Sequence, residues 1–202
     1  MNMRWKPSVT VAGIIEDQGR YLLVEEHTPN GLMFNNPAGH LDPGESPIEA
    51  CVREVLEETA YAFEPTALVG IYLSRFVKPP TLEDPDTDIT YLRFAFTGRL
   101  GVFDPSRSLD KGIVRTLWMN LEEMQACAAR HRSRLLLRCA QDHARGVRYP
   151  LDMVYTDKHS QPQRAGLKTI SGLAFRRPDP RFASHTAPMA PDAWCRHATP
   201  LA

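Results

Sequence analysis

Apolar positions recur in two rhythms along this chain, and the change between them divides it into elements. SVTVAGII, beginning at Ser8, and RYLLVEE, beginning at Arg20, are β-branched or aliphatic runs of strand length, and Glu16-Asp17-Gln18-Gly19 between them supplies a turn, so the pair predicts a hairpin. Thr28-Pro29-Asn30-Gly31 is a second turn signal, after which LMFNNPAG leads onward. Later, ALVGIYLSRFV, DITYLRFAFTGRL and TLWMN read as three more strands. The first two are separated by KPPTLEDPDT, whose prolines make it irregular. From Ile48 the rhythm is helical: Ile48, Cys51, Val52, Val55, Leu56 and Thr59 fall on one side at about 100° per residue, with Glu54, Glu57 and Glu58 on the other. Ser46-Pro47-Ile48-Glu49 marks the start, an S-x-x-E capping box with proline at the first helical position. Leu121 to Ala129 and Ser133 to Arg145 predict two further helices. Strands, helix, strands, helices in that order predict an α/β protein with a mixed sheet covered by helices on both faces.

The rhythm fades toward the C-terminus. SGLAFRRPDPRFASHTAPMAPDAWCRHATPLA is proline-rich and aperiodic, which predicts one domain over residues 1–160 followed by a flexible tail over 161–202. The alternative is an arm packed on a neighbour through Phe175, Phe182 and Trp194. At 202 residues the chain holds one well-buried domain. Lys and Arg number 24, equal to Asp and Glu, so no global charge draws the protein to nucleic acid or an anionic membrane. The four cysteines are scattered without a C-x-x-C pair, and neither a leader nor a long apolar stretch is present; these features predict a cytoplasmic protein with reduced thiols.

Charge matters most on the first helix. Three glutamates at i, i+3 and i+4 repel one another by roughly 0.2–0.5 kcal/mol per pair. Arg53 relieves part of this toward Glu57 or Glu49, and also points toward Glu45 in the preceding loop. A hard divalent cation with oxygen ligands would relieve more, and Mg²⁺ favours a few carboxylates together with substrate phosphate oxygens. A plainly solvated acidic face is the other reading of such a cluster.

The spacing adds to this. Gly39, Glu45, then Arg53-Glu54-Val55-Leu56-Glu57-Glu58 resembles the Nudix box, GX5EX7REUXEEXGU with U a bulky apolar residue, departing from it at Ala60 for glycine and Tyr61 for the last aliphatic position. Ala60 therefore either tolerates a left-handed backbone or ends the helix by a different turn. VTVAGIIEDQGRYLLVEE, NNPAGHLDPGES, TYLRFAF and RSRLLLRCAQDHARGVRYPLDMV are similar to the NudJ subfamily of Nudix phosphatases, over roughly Lys6 to Val154. The resemblance implies an α/β/α sandwich around a mixed sheet. It also implies Mg²⁺-dependent hydrolysis, with Mn²⁺ as a substitute, of nucleoside di- and triphosphates and of hydroxymethylpyrimidine diphosphate, in a monomer or homodimer. Carried over, Glu54, Glu57 and Glu58 bind metal with a backbone carbonyl at Ala38 or Gly39, Glu45 and Arg53 join loop to helix, and Glu57 or Glu58 serves as general base. For the substrate, Arg93, Arg75, His40 and Tyr149 are the candidates beside the box, and Asp110 is a further acid in a loop facing it. Three other readings stay open: a Nudix domain acting as a ligand sensor, a pyrophosphohydrolase of another nucleotide, and an isomerase on the same fold, which would need a site cysteine that core-facing Cys51 does not supply.

Overall fold

Successive residues of the central strands face two different hydrophobic layers, and this alternation organises the molecule. The structure, a computed structural model, describes residues 5–78 and 87–157. In β1 (Ser8–Ile14), Val11 packs into one cluster with Ala50, Cys51, Val55 and Phe96, while its neighbour Ala12 packs into the other with Phe34, Ala95, Leu136 and Cys139. Strands buried on both faces read as continuous apolar runs, which is why the sequence shows them so plainly.

The remaining elements are β2 (Glu16–Asp17), β3 (Arg20–Thr28), β4 (Gly31–Asn35), β5 (Ala38–His40), α1 (Pro47–Thr59), β6 (Tyr61–Lys78), β7 (Thr87–Phe103), β8 (Ile113–Met119), α2 (Leu121–Ala126) and α3 (Leu135–Ala144), with 3₁₀ turns at Ala128–Arg130 and Leu151–Met153. One four-stranded sheet has the order β5-β1-β7-β6 and is mixed, β1 running parallel to β7 and antiparallel to β5. The other joins β2, β3, β4 and β8, all antiparallel through β3. Helix α1 covers the Val11 face, and α2 with α3 covers the Ala12 face. The expected sandwich of helices about a mixed sheet is the architecture found.

Two expectations need correction. The predicted hairpin of SVTVAGII with RYLLVEE does not form, because β1 and β3 belong to different sheets. The reversal is short: the two-residue β2 folds back on Tyr21 and Arg20, the Ile15 carbonyl accepts the Leu22 N–H at 2.9 Å, and Gln18 and Gly19 stand at φ 49° and 80° in the turn. The first of the two C-terminal helices is also shorter than predicted, breaking after Ala126 into a 3₁₀ turn. The proline-rich loop centre and the C-terminal segment lie outside the described residues, as do Phe175, Phe182, Trp194 and Cys195. Cys51, Cys127 and Cys139 are buried, and Cys51 faces the core as expected. Among the described residues no helix is long and apolar enough to cross a membrane.

Candidate active site

The site begins with the start of α1. Ser46 Oγ accepts the Glu49 N–H at 3.1 Å, Glu49 Oε2 accepts the Ser46 N–H at 2.9 Å, and Pro47 opens the helix, so the capping box is complete. The end is as definite. Ala60 is left-handed at φ 59°, and its N–H donates to the Leu56 carbonyl, so alanine does what the box pattern assigns to glycine. Between these ends, the glutamate side of α1 is not a solvated face: Glu54 and Glu58 are each only 8% exposed. They lie against β5, and Gly39 is why they can. A Cβ there would stand 2.1 Å from the Glu54 carboxyl carbon, so only a bare backbone lets the carboxylate settle on the strand.

One guanidinium ties the loop to the helix. Arg53 donates from Nε and Nη2 to the two oxygens of Glu45 at 2.8 and 2.9 Å, a bidentate fork that suits arginine's planar geometry. Its Nη1 reaches Glu54 at 2.7 Å and Glu57 at 3.0 Å, and Nη2 also donates to the His40 carbonyl at 3.0 Å. These partners hold its pKa above the usual arginine value, the Glu45 hydrogen bonds foremost. Glu45, Glu54 and Glu57 thus share one arginine that makes no hydrogen bond to Glu58, and the buried pair Glu54 and Glu58 feel the deficit. Burial raises the Glu54 carboxyl; Arg53 opposes this, while Glu57 and Asp110 add to it. Glu58 is pushed up to about 8, chiefly by burial and further by Glu54 and Asp110, against the pull of the Ala38 N–H, which donates to its Oε2 at 2.8 Å, and of Arg93. Asp110 belongs to this corner because its N–H donates to the Glu57 carbonyl at 3.0 Å, docking the loop before β8 on the helix.

The donor set fits a hard cation. All its groups are oxygens, the carboxylates outnumber the guanidinium, and Arg53 Nη1 shows a positive group lodged between Glu54 and Glu57. With Arg53 in that place, no three His, Cys, Asp or Glu side chains among the described residues already converge on a single ion position. An open hollow of about 540 Å³ adjoins the loop that carries Glu45, lined by Val9, Leu41, Glu45 and Tyr155.

The substrate candidates separate. Arg93 on β7 lies beside Thr10 of β1 and Tyr72 of β6, is 8% exposed, and has neither Nε nor Nη1 hydrogen-bonded among the described residues; burial lowers its pKa, while Cys139 and Glu58 hold it up. His40 pairs with Thr10 on the other side of β1 and is exposed. These two therefore share a face with Ala38. Arg75 is farther along β6 and exposed, and forks onto Asp88 at 2.7 Å through both Nε and Nη2. Tyr149 exchanges backbone hydrogen bonds with Leu68 at the outer edge of β6. Leu68, Phe96, Gly13 and Pro37 are successive neighbours across the sheet, so Tyr149 stands four strand spacings, roughly 19 Å, from the strand that bears the box glycine. The structure thus brings Glu45, Arg53, Glu54, Glu57, Glu58 and Gly39 together, sets Arg93 and His40 beside them, and leaves Arg75 and Tyr149 apart. Tyr91, not singled out from the sequence, has its ring 6.3 Å from that of His40. The signal was available, since Tyr91 and Arg93 alternate with apolar residues on one face of β7.

Comparison with known proteins agrees with this geometry. The NUDIX domain family model matches residues 4–139. Phosphatase NudJ of Escherichia coli K12 is 33% identical over 150 residues, covering 74% of this chain and 92% of its own length, and the Shigella flexneri protein of the same name matches equally. A solved NUDIX hydrolase from Nitrosomonas europaea is 48% identical with a TM-score of 0.66, covering 76% of this chain and 99% of its own. The MutT protein from Methanosarcina mazei Go1, 23% identical with a TM-score of 0.51 over 70% of this chain and 96% of its own, shares the fold. With the box glycine, glutamates and arginine assembled on one helix and strand, and matches of this extent, the chain belongs to the Nudix hydrolases.

Proposed function

We propose that this hydrolase cleaves the terminal phosphoanhydride bond of nucleoside di- and triphosphates and of hydroxymethylpyrimidine diphosphate, using Mg²⁺ and releasing inorganic phosphate. The observation that carries this reading is the charge deficit around α1, where Arg53 is shared by Glu45, Glu54 and Glu57 and makes no hydrogen bond to buried Glu58. A diphosphate resists water because its negative oxygens repel the nucleophile. When bound, the cation neutralises those oxygens and makes water at the site more acidic. Glu54, Glu57, Glu58 and the Gly39 carbonyl would hold it, with Mn²⁺ as a substitute. Arg53 fixes Glu45 and the carbonyl of His40, keeping the loop seated on the helix. Glu57 or Glu58 takes the proton of the attacking water. Arg93, whose charge acts on Glu58 and whose Nε and Nη1 have no hydrogen-bond partner among the described residues, binds a phosphate group, and His40 contacts the part of the substrate beyond it. The substrate is a small molecule in the cytoplasm, handled by a monomer or homodimer without nucleic acid or membrane.

The reading is tested by following phosphate release over a panel of nucleotides and hydroxymethylpyrimidine diphosphate with Mg²⁺. Inorganic phosphate should appear, with kcat/KM differing by no more than about 10²-fold among nucleobases, the discrimination of pockets without dedicated hydrogen bonds. Release of pyrophosphate and a monophosphate from triphosphates would overturn the terminal assignment, and a 10⁴-fold preference for one base would overturn the breadth.

A further inference from the structure

The sheet face that carries Ala38 continues into a pair of rings that the chemistry at the box does not use. Across this face, His40 of β5, Thr10 of β1, Arg93 of β7 and Tyr72 of β6 form one row, and Ser8 of β1 with Tyr91 of β7 belong to the next. His40 and Tyr91 are therefore diagonal neighbours across β1, where the residues between them, Ser8 and Thr10, are small and polar. The two ring centroids are 6.3 Å apart, with the planes inclined at 50°. A flat ring held between two others needs about 7 Å, twice a contact distance of about 3.5 Å, so a small rotation of exposed His40 opens the pair enough to admit one. The same face is polar there, since Thr10 Oγ1 and two Arg93 nitrogens lack hydrogen-bond partners among the described residues. Along β5, Ala38, whose N–H holds Glu58, is two residues from His40, about 6.7 Å in a strand. That is the reach of a ribose between its base and its phosphate.

We propose that Tyr91 and His40 seat the flat ring of the substrate's organic group, a nucleobase or a free pyrimidine, across β1, with its phosphates directed along β5 toward Ala38 and Glu58. This rests on the phosphoanhydride hydrolase reading and specifies which part of the substrate that face recognises. A seat made of ring faces accepts every base, because each offers a π surface, and so gives binding without strong selection.

The test compares two probes on the full chain with Mg²⁺ by calorimetry: an α,β-methylene nucleoside diphosphate, and methylenediphosphonate, which has the phosphorus groups without a ring. Tyr91→Ala should weaken the nucleotide probe about 10-fold or more and leave methylenediphosphonate within about twofold, and Tyr91→Phe should restore the nucleotide probe. His40→Ala, at an exposed position, should show the same one-sided loss and serves if Tyr91→Ala does not fold. Equal losses for both probes, or none for either, would overturn the proposal while leaving the hydrolase reading intact, as would a wild-type protein that binds both probes with equal affinity. A wild-type protein that binds neither probe would overturn the hydrolase reading, and this inference with it.

Discussion

Among the described residues, β3 and α1 each bury a pair of glutamates, and their surroundings push Glu25 and Glu58 in opposite directions. On β3, Glu25 is 4% exposed, yet it accepts Arg130 Nη2 at 2.5 Å on one oxygen and Arg115 Nε at 2.6 Å on the other, and Glu26 pairs with Arg132. Burial would raise Glu25, but the hydrogen bonds and charges of its two arginines prevail and its pKa falls below the ordinary value. Glu58 on α1 is 8% exposed and has no arginine hydrogen-bonded to it among the described residues, and it is pushed up to about 8. Degree of burial does not distinguish them. The supply of cations does: where guanidinium groups match carboxylates the cluster joins elements, and where carboxylates exceed them it is left with affinity for a positive ion from solution.

The contrast is broken most forcefully at Glu25. Glu25→Ala should destabilise the fold by about 3 kcal/mol, the low end for disrupting a buried pair, since Arg130 keeps the Leu32 carbonyl and the Phe34 ring, 4.1 Å from its guanidinium carbon. Urea denaturation measures this, and kcat per folded molecule should stay within about twofold. A large fall in kcat would mean that the β3 cluster also takes part in turnover. At α1 the effects should exchange. Glu58→Gln should lower kcat by at least ~10²-fold, whether as a lost base or a lost ligand, while the denaturation midpoint holds or rises, because glutamine still accepts the Ala38 N–H. Full Mg²⁺-dependent activity in that variant would remove Glu58 from the mechanism.

A subtler distinction is in pH dependence without metal. Between its ordinary 4.5 and about 8, Glu58 keeps a proton in the folded protein that the unfolded chain releases, so its contribution to stability is lost as pH rises through that window. Glu25, with its folded pKa lowered, contributes stability above 4.5 that is lost as pH falls. In chelator, the wild-type Tm should therefore fall from pH 5 to 8 relative to Glu58→Gln; parallel curves would show that Glu58 ionises normally. The smallest effect is at Ala60. Glycine would relieve about 1–2 kcal/mol of left-handed strain, against about 0.4–1 kcal/mol of added unfolded-state freedom and a buried methyl's about 0.8 kcal/mol. These nearly cancel, so Ala60→Gly should shift stability by no more than about 0.8 kcal/mol in either direction, and a larger loss in urea would mean that the methyl's packing outweighs the strain.

What could be read from the sequence follows the distance over which the interactions act. The capping box, Pro47, the apolar stripe of α1 and the Arg53–Glu45 tie join residues within one turn or one loop, and their spacing alone made them legible. The left-handed turn at Ala60 stayed ambiguous because two local solutions compete there. The separation of β1 from β3 was hidden because a turn signal at Gly19 records a reversal without saying how many residues pair beyond it. Nor could spacing show that Tyr149 is held at the far edge of β6, or that Asp110 docks on Glu57, since both depend on partners remote in the chain.

The lengths of these ties carry a consequence for the order of folding. Arg53 reaches its Glu45 partner over 8 residues and the His40 carbonyl over 13, and Ala38 reaches Glu58 over 20. Arg130 must close a loop of 105 residues to find Glu25. Short loops close at a lower entropic cost. The segment from Ala38 to Thr59 is thus suited to gather early, as a nearly self-contained unit whose acidic corner exists before the second sheet has been locked in place.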